Sequence, residues 1–321
     1  MHDNLPAPAT AGAVALPSLQ ELDQAVAGFA AASRSAATQR AYASDWRDFT
    51  AFCDGHGLEP LPAAGLTVAR YLTHLVGLGR TVSTIDRRTA AIALAHRMAG
   101  HDSPTAREDV RQVLAGIRNT HGRAPTKKKA LTVDLLVQVL RKVRGQDLAA
   151  VRDRAMILLC FGAALRRSEL VALDVADLER HRRGLVVHLR RSKTDQTGEG
   201  QTIAVLDGKL KVPAAVDAWF KASGITEGPV FRGCDRGRLS AERLSDGQFA
   251  RILKARCAAA GLDPATIGGH SPRRGFATTA GDMGADLSVT AQHMRHVKLE
   301  TTRGYIETAD LFRRNAGTDF L

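Results

Sequence analysis

Between residues 118 and 132 the chain reads RNTHGRAPTKKKALT, and no other stretch limits the fold as strongly. It gathers Gly, Pro and three consecutive lysines with almost no apolar content, so it can neither supply core nor satisfy a buried backbone. Apolar residues at regular spacing flank it on both sides. The expected organisation is therefore two domains, 18–121 and 132–321, joined by a linker over 122–131. A chain of 321 residues gives each domain length enough for its own core. Residues 1–17, MHDNLPAPATAGAVALP, lack a basic leader and read as a flexible tail rather than a signal peptide. The linker lysines, Lys127 among them, suit either free solvation or a path along nucleic-acid phosphates.

In the first domain, segments 19–31, 36–55, 67–78, 84–99 and 104–119 carry apolar residues at helical spacing. Ser103-Pro104 predicts an N-cap followed by proline at the first helical position, and Gly100 ends the fourth helix. Tyr42, Trp46, Phe49 and Phe52 recur at three- and four-residue steps, a stripe read as core rather than as a base-stacking platform. The second domain opens with helices near 133–144 and 148–164. GLVVHLRR (184–191) and QTIAVL (201–206) predict two strands joined by a polar, Gly-bearing hairpin loop. Helices follow near 213–222, 245–260, 272–282, 288–294 and 299–313. The expected fold class is mainly α with a small antiparallel β-sheet.

Composition narrows the function classes. At 44% apolar and 24% charged residues the chain is an ordinary globule, and no apolar run approaches the roughly 18 residues of a membrane span. Cys53, Cys160, Cys234 and Cys257 form no CxxC pair, which argues against a zinc knuckle or redox motif and for idle thiols in a reducing cytoplasm. The net charge of +12 is uneven: residues 1–125 hold 12 Lys and Arg against 11 Asp and Glu, and residues 126–321 hold 33 against 22. A basic second half implies a polyanionic partner, with nucleic acid the first candidate.

Four segments of that half hold unusual polar groups. In LRRSELVAL (165–173), Arg166, Arg167 and Glu169 follow an apolar run, with Glu169 on the Arg166 face if the preceding helix continues. In SKTD, Lys193 sits at the tip of the expected hairpin, and no other lysine occurs between residues 143 and 208. In GGHSPRRGFATTAG (268–281), His270 precedes a helix start and Arg273 lies in its first turn, a place suited to a phosphate. In HVKLETTRGYIE (296–307), His296 leads to Tyr305, the only tyrosine after Tyr71. Each segment alone is compatible with a surface salt bridge, a solvated lysine, a capped helix or a packing anchor. As a set they lack paired carboxylates, a metal-ligand cluster and a GxxxxGK(S/T) loop. They suit phosphoryl transfer without metal or nucleotide: arginines on the non-bridging oxygens, lysine or histidine moving protons, tyrosine as nucleophile.

From about residue 18 to 315 the sequence resembles the tyrosine recombinases, the phage integrase family. LRRSEL is similar to the family's first arginine box, and that register selects Arg166 with Glu169 as its acidic residue. GHSPRRGFAT resembles the HxxR box, giving His270 and Arg273. HVKLETTRGY has the family's histidine-to-tyrosine spacing, giving His296 and Tyr305, and SKT matches its hairpin lysine, Lys193. Residues 69–100 resemble the helical core-binding domain of Cre-like and Xer-like members, more closely Cre, with no room expected before residue 18 for an arm-binding domain. Two positions depart from the pattern. Arg295 stands where glycine often precedes the third-box histidine, which would alter the backbone's approach to Tyr305, and Pro272 stands where leucine is more usual.

The resemblance implies a two-domain DNA clamp and a site-specific recombinase working through a 3′-phosphotyrosine at Tyr305, with no cofactor. It implies that Arg166 and Arg273 hold the phosphate, Lys193 protonates the leaving oxygen, His270 assists proton transfer, His296 bonds the phosphate and Glu169 orients its neighbours. It also implies a double-stranded DNA partner with an inverted-repeat site, two protomers per site in a homotetramer, and a cytoplasmic, nucleoid-associated protein of bacterial, phage or plasmid origin. Arg40 and Arg87 fall on helices similar to the major-groove readers of Cre, and Arg251 lies on a basic helix. For each, the alternative is a phosphate contact or free solvent. Leu311, Phe312, Phe320 and Leu321 in the tail dock on a neighbouring protomer or pack back in cis. Two other functions fit parts of the sequence: a type IB topoisomerase and a non-catalytic DNA-binding protein.

Overall fold

The computed structural model describes residues 18–122, 128–190, 200–296 and 298–304, and the helical periodicity of the sequence appears there as mostly helical structure with two small antiparallel sheets. The chain divides into two units, Met1–Pro125 and Thr126–Leu321.

In the first unit, α1 spans Leu19–Ala32, α2 Ala36–Gly55, α3 Gly65–Gly77, α4 Val82–Met98 and α5 Glu108–His121. Ser35 and Thr81 start α2 and α4 by accepting the N–H of Thr38 and Thr84 on their side-chain oxygens. After α4, Gly100 takes a left-handed φ of 76°, and the N–H of His101 reaches back to the carbonyl of His96 at 2.9 Å. The core forms around Phe49, Tyr71, Leu72, Leu75, Ile85 and Ile92, with Trp46 and Phe52 packed at its margin. Tyr42 instead lines a cavity of about 640 Å³ with Trp46, Leu94 and Met98. The expected 104–119 helix is broken: Pro104–Ala106 form a 3₁₀ turn, Arg107 is extended, and the helix begins at Glu108. Ser103 makes no side-chain cap bond. Glu108 and Asp109 supply the negative charge that a helix N-terminus favours.

In the second unit, α6 spans Val133–Lys142, α7 Leu148–Gly162, α8 Arg167–Ala172, α9 Val212–Ser223, α10 Asp246–Ala259, α11 Ser271–Asp282 and α12 Leu287–Met294. Strands β1 (Leu178–His181), β2 (Gly184–Leu189) and β3 (Gln201–Leu206) form one antiparallel sheet in that order, with Gly184 opposite Leu206 and Leu189 opposite Gln201. The β4 (Arg232–Asp235) and β5 (Arg238–Arg243) strands form a separate hairpin. Three of these strands, β1, β4 and β5, have no counterpart in the sequence expectations. Their residues are largely charged and exposed, so they lack the alternation that marks a half-buried strand. The helix α7 is buried along nearly its whole length and is the axis of the core.

The segment after residue 127 is fastened to α11. The Leu131 N–H donates to the Ser271 carbonyl at 2.9 Å, and the Val133 N–H donates to Thr279 Oγ1 at 3.0 Å. A Cβ on Gly275 would lie 1.7 Å from the Leu131 carbonyl oxygen, so glycine there permits the contact.

Candidate active site

The site forms where α7 stops. Gly162 ends the helix, Ala164 takes a left-handed φ of 45°, and the chain turns so that Arg166 becomes the N-cap residue of α8. The preceding helix therefore does not continue through Arg166. The sequence reading of Arg166 and Glu169 as neighbours on one unbroken helical face is replaced by a pairing of N-cap with first turn. The Arg166 N–H donates to Glu169 Oε2 at 2.8 Å, and Arg166 Nη1 bonds Oε1 at 2.5 Å.

The last carbonyls of a helix have no intrahelical partner and carry partial negative charge. Cationic side chains from α11 and the end of α12 meet those of α7. Arg273 Nη1 donates to the Ala164 carbonyl at 2.5 Å, and its Nη2 to that of Met294. Arg295 donates from Nη1 to Ala163 at 3.2 Å and from Nη2 to Ala164 at 3.1 Å. His293 Nε2 lies 3.0 Å from the Gly162 carbonyl while its ring stacks on Phe276. The end of α7 thus fixes both arginines.

Glu169 lies at the centre, buried. Burial alone would raise its carboxyl, but Arg295, the Arg166 N–H and the Arg166 guanidinium outweigh that and hold it below the ordinary range. Arg295 Nη2 reaches Glu169 Oε2 at 2.9 Å. His270, the N-cap residue of α11, is lowered by partial desolvation of its ring and then by Arg167, Arg273 and Arg166. His296 is lowered to about 4 by burial and then by Arg273, Arg166 and Arg295. Both imidazoles therefore sit in one positive field that disfavours their protonated forms. The Nδ1 of His296 is 2.7 Å from the hydroxyl of Thr302, which is fully buried.

The structure accordingly brings together Arg166, Glu169, His270, Arg273 and His296. Lys193, Tyr305 and Lys127 lie outside the described residues, as do the tail positions Leu311, Phe312, Phe320 and Leu321. Pro272 falls in the first turn of α11, where a missing N–H costs no intrahelical bond. Arg40 and Arg251 are exposed. Arg87 is half-exposed but tied to buried Asp45 at 2.5 Å, and Asp45 also faces Arg88. Sequence reasoning missed two partners. Arg295 was noted only as a departure from glycine, although an arginine standing where the pattern has glycine beside the histidine was itself a signal. Thr302 was not singled out, although TTRGY places two threonines just before the tyrosine. Among the described residues no group of three or more His, Cys, Asp or Glu is placed to hold a metal ion, and no described helix is long and apolar enough to cross a membrane.

Comparison with known proteins gives a consistent result. Residues 129–311 match the model described as the Phage integrase family. An integrase/recombinase xerD homolog of Selenomonas ruminantium is 33% identical over 291 residues, covering 88% of this chain and 85% of that protein. The tyrosine recombinase XerC of Mycobacterium tuberculosis is 30% identical over 291 residues, covering 86% and 89%. Among solved structures, the XerH site-specific recombinase bound to palindromic difH substrate gives a TM-score of 0.60 at 16% identity, covering 80% of this chain and 72% of that one. A lambda integrase dimer bound to a COC′ core site gives 0.59 at 16% identity, covering 90% and 76%. At such identities the structural likeness speaks to the fold.

Proposed function

The chain belongs to the phage integrase family, the tyrosine recombinases, and on that premise we propose that this site-specific recombinase cuts and rejoins double-stranded DNA through a 3′-phosphotyrosine at Tyr305, without metal or nucleotide. The observation that carries the reading is the convergence of two fixed guanidiniums, Arg166 held by Glu169 and Arg273 held by the carbonyls of Ala164 and Met294, on His270 and His296. Fixed guanidiniums stabilise the charge that develops on non-bridging phosphate oxygens, and they need not reorganise as it develops.

Tyr305 Oη attacks the scissile phosphorus; the new P–O bond to tyrosine forms as the bond to the 5′-oxygen breaks. Lys193 gives that oxygen its proton. His270, beside arginines that disfavour its protonated form, takes the tyrosine proton. His296, neutral for the same reason, hydrogen-bonds the phosphate, and Glu169 holds Arg166 in place. The phosphotyrosine conserves the energy of the broken bond, so a 5′-hydroxyl from a partner strand reverses the attack and rejoins the DNA. Exchange between two duplexes uses four active sites, hence a homotetramer with two protomers on each inverted-repeat site. The helical unit ending near residue 121 serves as the core-binding domain. Arg40 and Arg251 are its and the catalytic domain's exposed candidates for DNA contact, with Lys127 on the linker. Arg87, engaged by Asp45, reads DNA only if that ion pair opens. A cytoplasmic, nucleoid-associated location follows from the DNA partner.

The test is a detergent-stable protein–DNA adduct formed on fragmented DNA from the chain's native genomic neighbourhood, with Tyr305→Phe alongside. The expected result is an adduct at one short inverted repeat that disappears in Tyr305→Phe while DNA binding persists. No adduct, with equal binding by both proteins, would favour a non-catalytic DNA-binding protein. Relaxation of supercoils without exchange between sites would favour a topoisomerase.

A further inference from the structure

We propose that Arg295 is a positioning residue for strand cleavage, whose guanidinium joins the end of α7 to Glu169 and so fixes the carboxylate that holds Arg166. The proposal rests on the recombinase reading and adds to it a residue that makes no contact with DNA.

The first observation is the number of local costs that meet at this position. Arg295 has a left-handed φ of 57°, a conformation that is unfavourable for a residue with a Cβ. Its side chain is only 4% exposed. Its Nε is buried without a hydrogen-bond partner among the described residues. Burying an arginine–glutamate pair seldom adds net stability, because desolvation offsets the attraction. A glycine would avoid these local costs but would leave buried Glu169 with one charged partner fewer, so what the arginine supplies at this position is its pairing.

The second observation is what the guanidinium joins. Nη1 donates to the carbonyls of Ala163 at 3.2 Å and His293 at 2.9 Å. Nη2 donates to the carbonyl of Ala164 at 3.1 Å and to Glu169 Oε2 at 2.9 Å. The planar fork fixes the directions of these bonds together. Glu169 Oε2 also takes the Arg166 N–H, which leaves Oε1 for the Arg166 guanidinium. The Ala164 carbonyl is shared with Arg273. Arg295 is therefore bonded to the partners of both arginines proposed to grip the phosphate. Without it, Glu169 keeps Arg166 as its only charged partner among these contacts, and the carboxylate and guanidinium gain freedom to swing together.

The experiment measures single-turnover adduct formation at Tyr305 and DNA affinity for wild type, Arg295→Gly, Glu169→Gln and the double variant. Glycine suits the left-handed backbone, so Arg295→Gly removes the guanidinium with little backbone penalty. Cleavage is expected to fall about ten- to a hundredfold, the scale of a misplaced catalytic group, while DNA affinity changes less than about threefold. The double variant should cleave no worse than the slower single variant, because both changes remove one linkage. Ethylguanidinium at millimolar concentration should restore cleavage in Arg295→Gly and leave Glu169→Gln unchanged. Wild-type cleavage by Arg295→Gly, a parallel loss of DNA affinity, or single-variant effects that multiply would each overturn the proposal. Should Arg295→Gly fail to fold, Arg295→Lys carries the test: it keeps the charge but not the fork, and wild-type cleavage by it would be equally fatal. Absence of any wild-type adduct would instead sink the recombinase reading, and this proposal with it.

Discussion

His296 gives the site a pH dependence whose sign follows from its surroundings. Its folded pKa of about 4 lies below the ordinary 6.5, so between these values the unfolded chain binds a proton that the folded chain resists. Stability is full above about pH 6.5, declines as pH falls, and stops declining on this account below about pH 4. His270 and His293 are lowered too, and act in the same direction. Chemical denaturation between pH 4 and 7 should show the decline, and His296→Asn should make it shallower; an unchanged slope would mean that His296 is not held neutral by the fold. Glu169→Gln belongs to the same scale. It leaves Arg295 buried without its carboxylate, so a loss of about 3–5 kcal/mol is expected by urea denaturation. At this scale the sequence was informative where residues sit close along the chain. The closeness of Arg166 to Glu169, and of His270 to Arg273, was suggested by three-residue spacing, although the choice of Arg166 over Arg167 came from the family resemblance and the pairing forms at a helix start rather than along one helix. The Arg295–Glu169 pair was not, because 126 positions separate its members and only the fold brings them together.

Helices were legible where their apolar period was long, as in α2, and strands were legible only where one face is buried. Residues of β3 alternate between exposed and buried, and its 201–206 bounds were readable for that reason. The β4–β5 hairpin has a different signal: Arg236 and Gly237 both take left-handed φ, 47° and 78°, which is the geometry of a tight two-residue turn. DRGR at 235–238 was therefore the readable sign, and the charged strands hid it. The end of α7 was legible to within two residues, expected near 164 and found at Gly162, but the turn that follows was not, since it depends on Ala164 adopting a left-handed φ. Gly275 tests the element scale directly. Replacing it with alanine drives a methyl into the Leu131 carbonyl, so α11 must move away from the strap at residues 128–133. Because Arg273 rides on α11, Gly275→Ala should lower both the thermal midpoint and the rate of adduct formation. A loss of at least about 2 kcal/mol is expected, on the scale of severe overpacking; a variant with wild-type stability would show that α11 and the strap are not held in this contact.

The two units have separate apolar cores, one around Phe49 and Tyr71 and the other around α7, and they differ in charge as sharply as in fold. Residues 126–321 carry 33 Lys and Arg against 22 Asp and Glu, whereas residues 1–125 are nearly balanced at 12 against 11. Within the first unit much of the positive charge is also engaged internally: Arg87 and Arg88 by Asp45 and Asp48, and Arg118 by Asp86. A protein releases counterions in proportion to the phosphates it neutralises, and log affinity falls linearly with log salt at a slope set by that number. The second unit should therefore supply most of the salt dependence of DNA binding. The first unit should supply contacts that vary with sequence and little with salt. Titrating DNA with the whole chain and with a 126–321 fragment, from low to physiological salt, separates these contributions. More than half of the slope should survive in the fragment, although its preference for one site over random DNA falls. A fragment that loses most of the slope would place the phosphate contacts on the helical unit despite its near-neutral charge, and Arg40 would then be the first of its exposed arginines to replace.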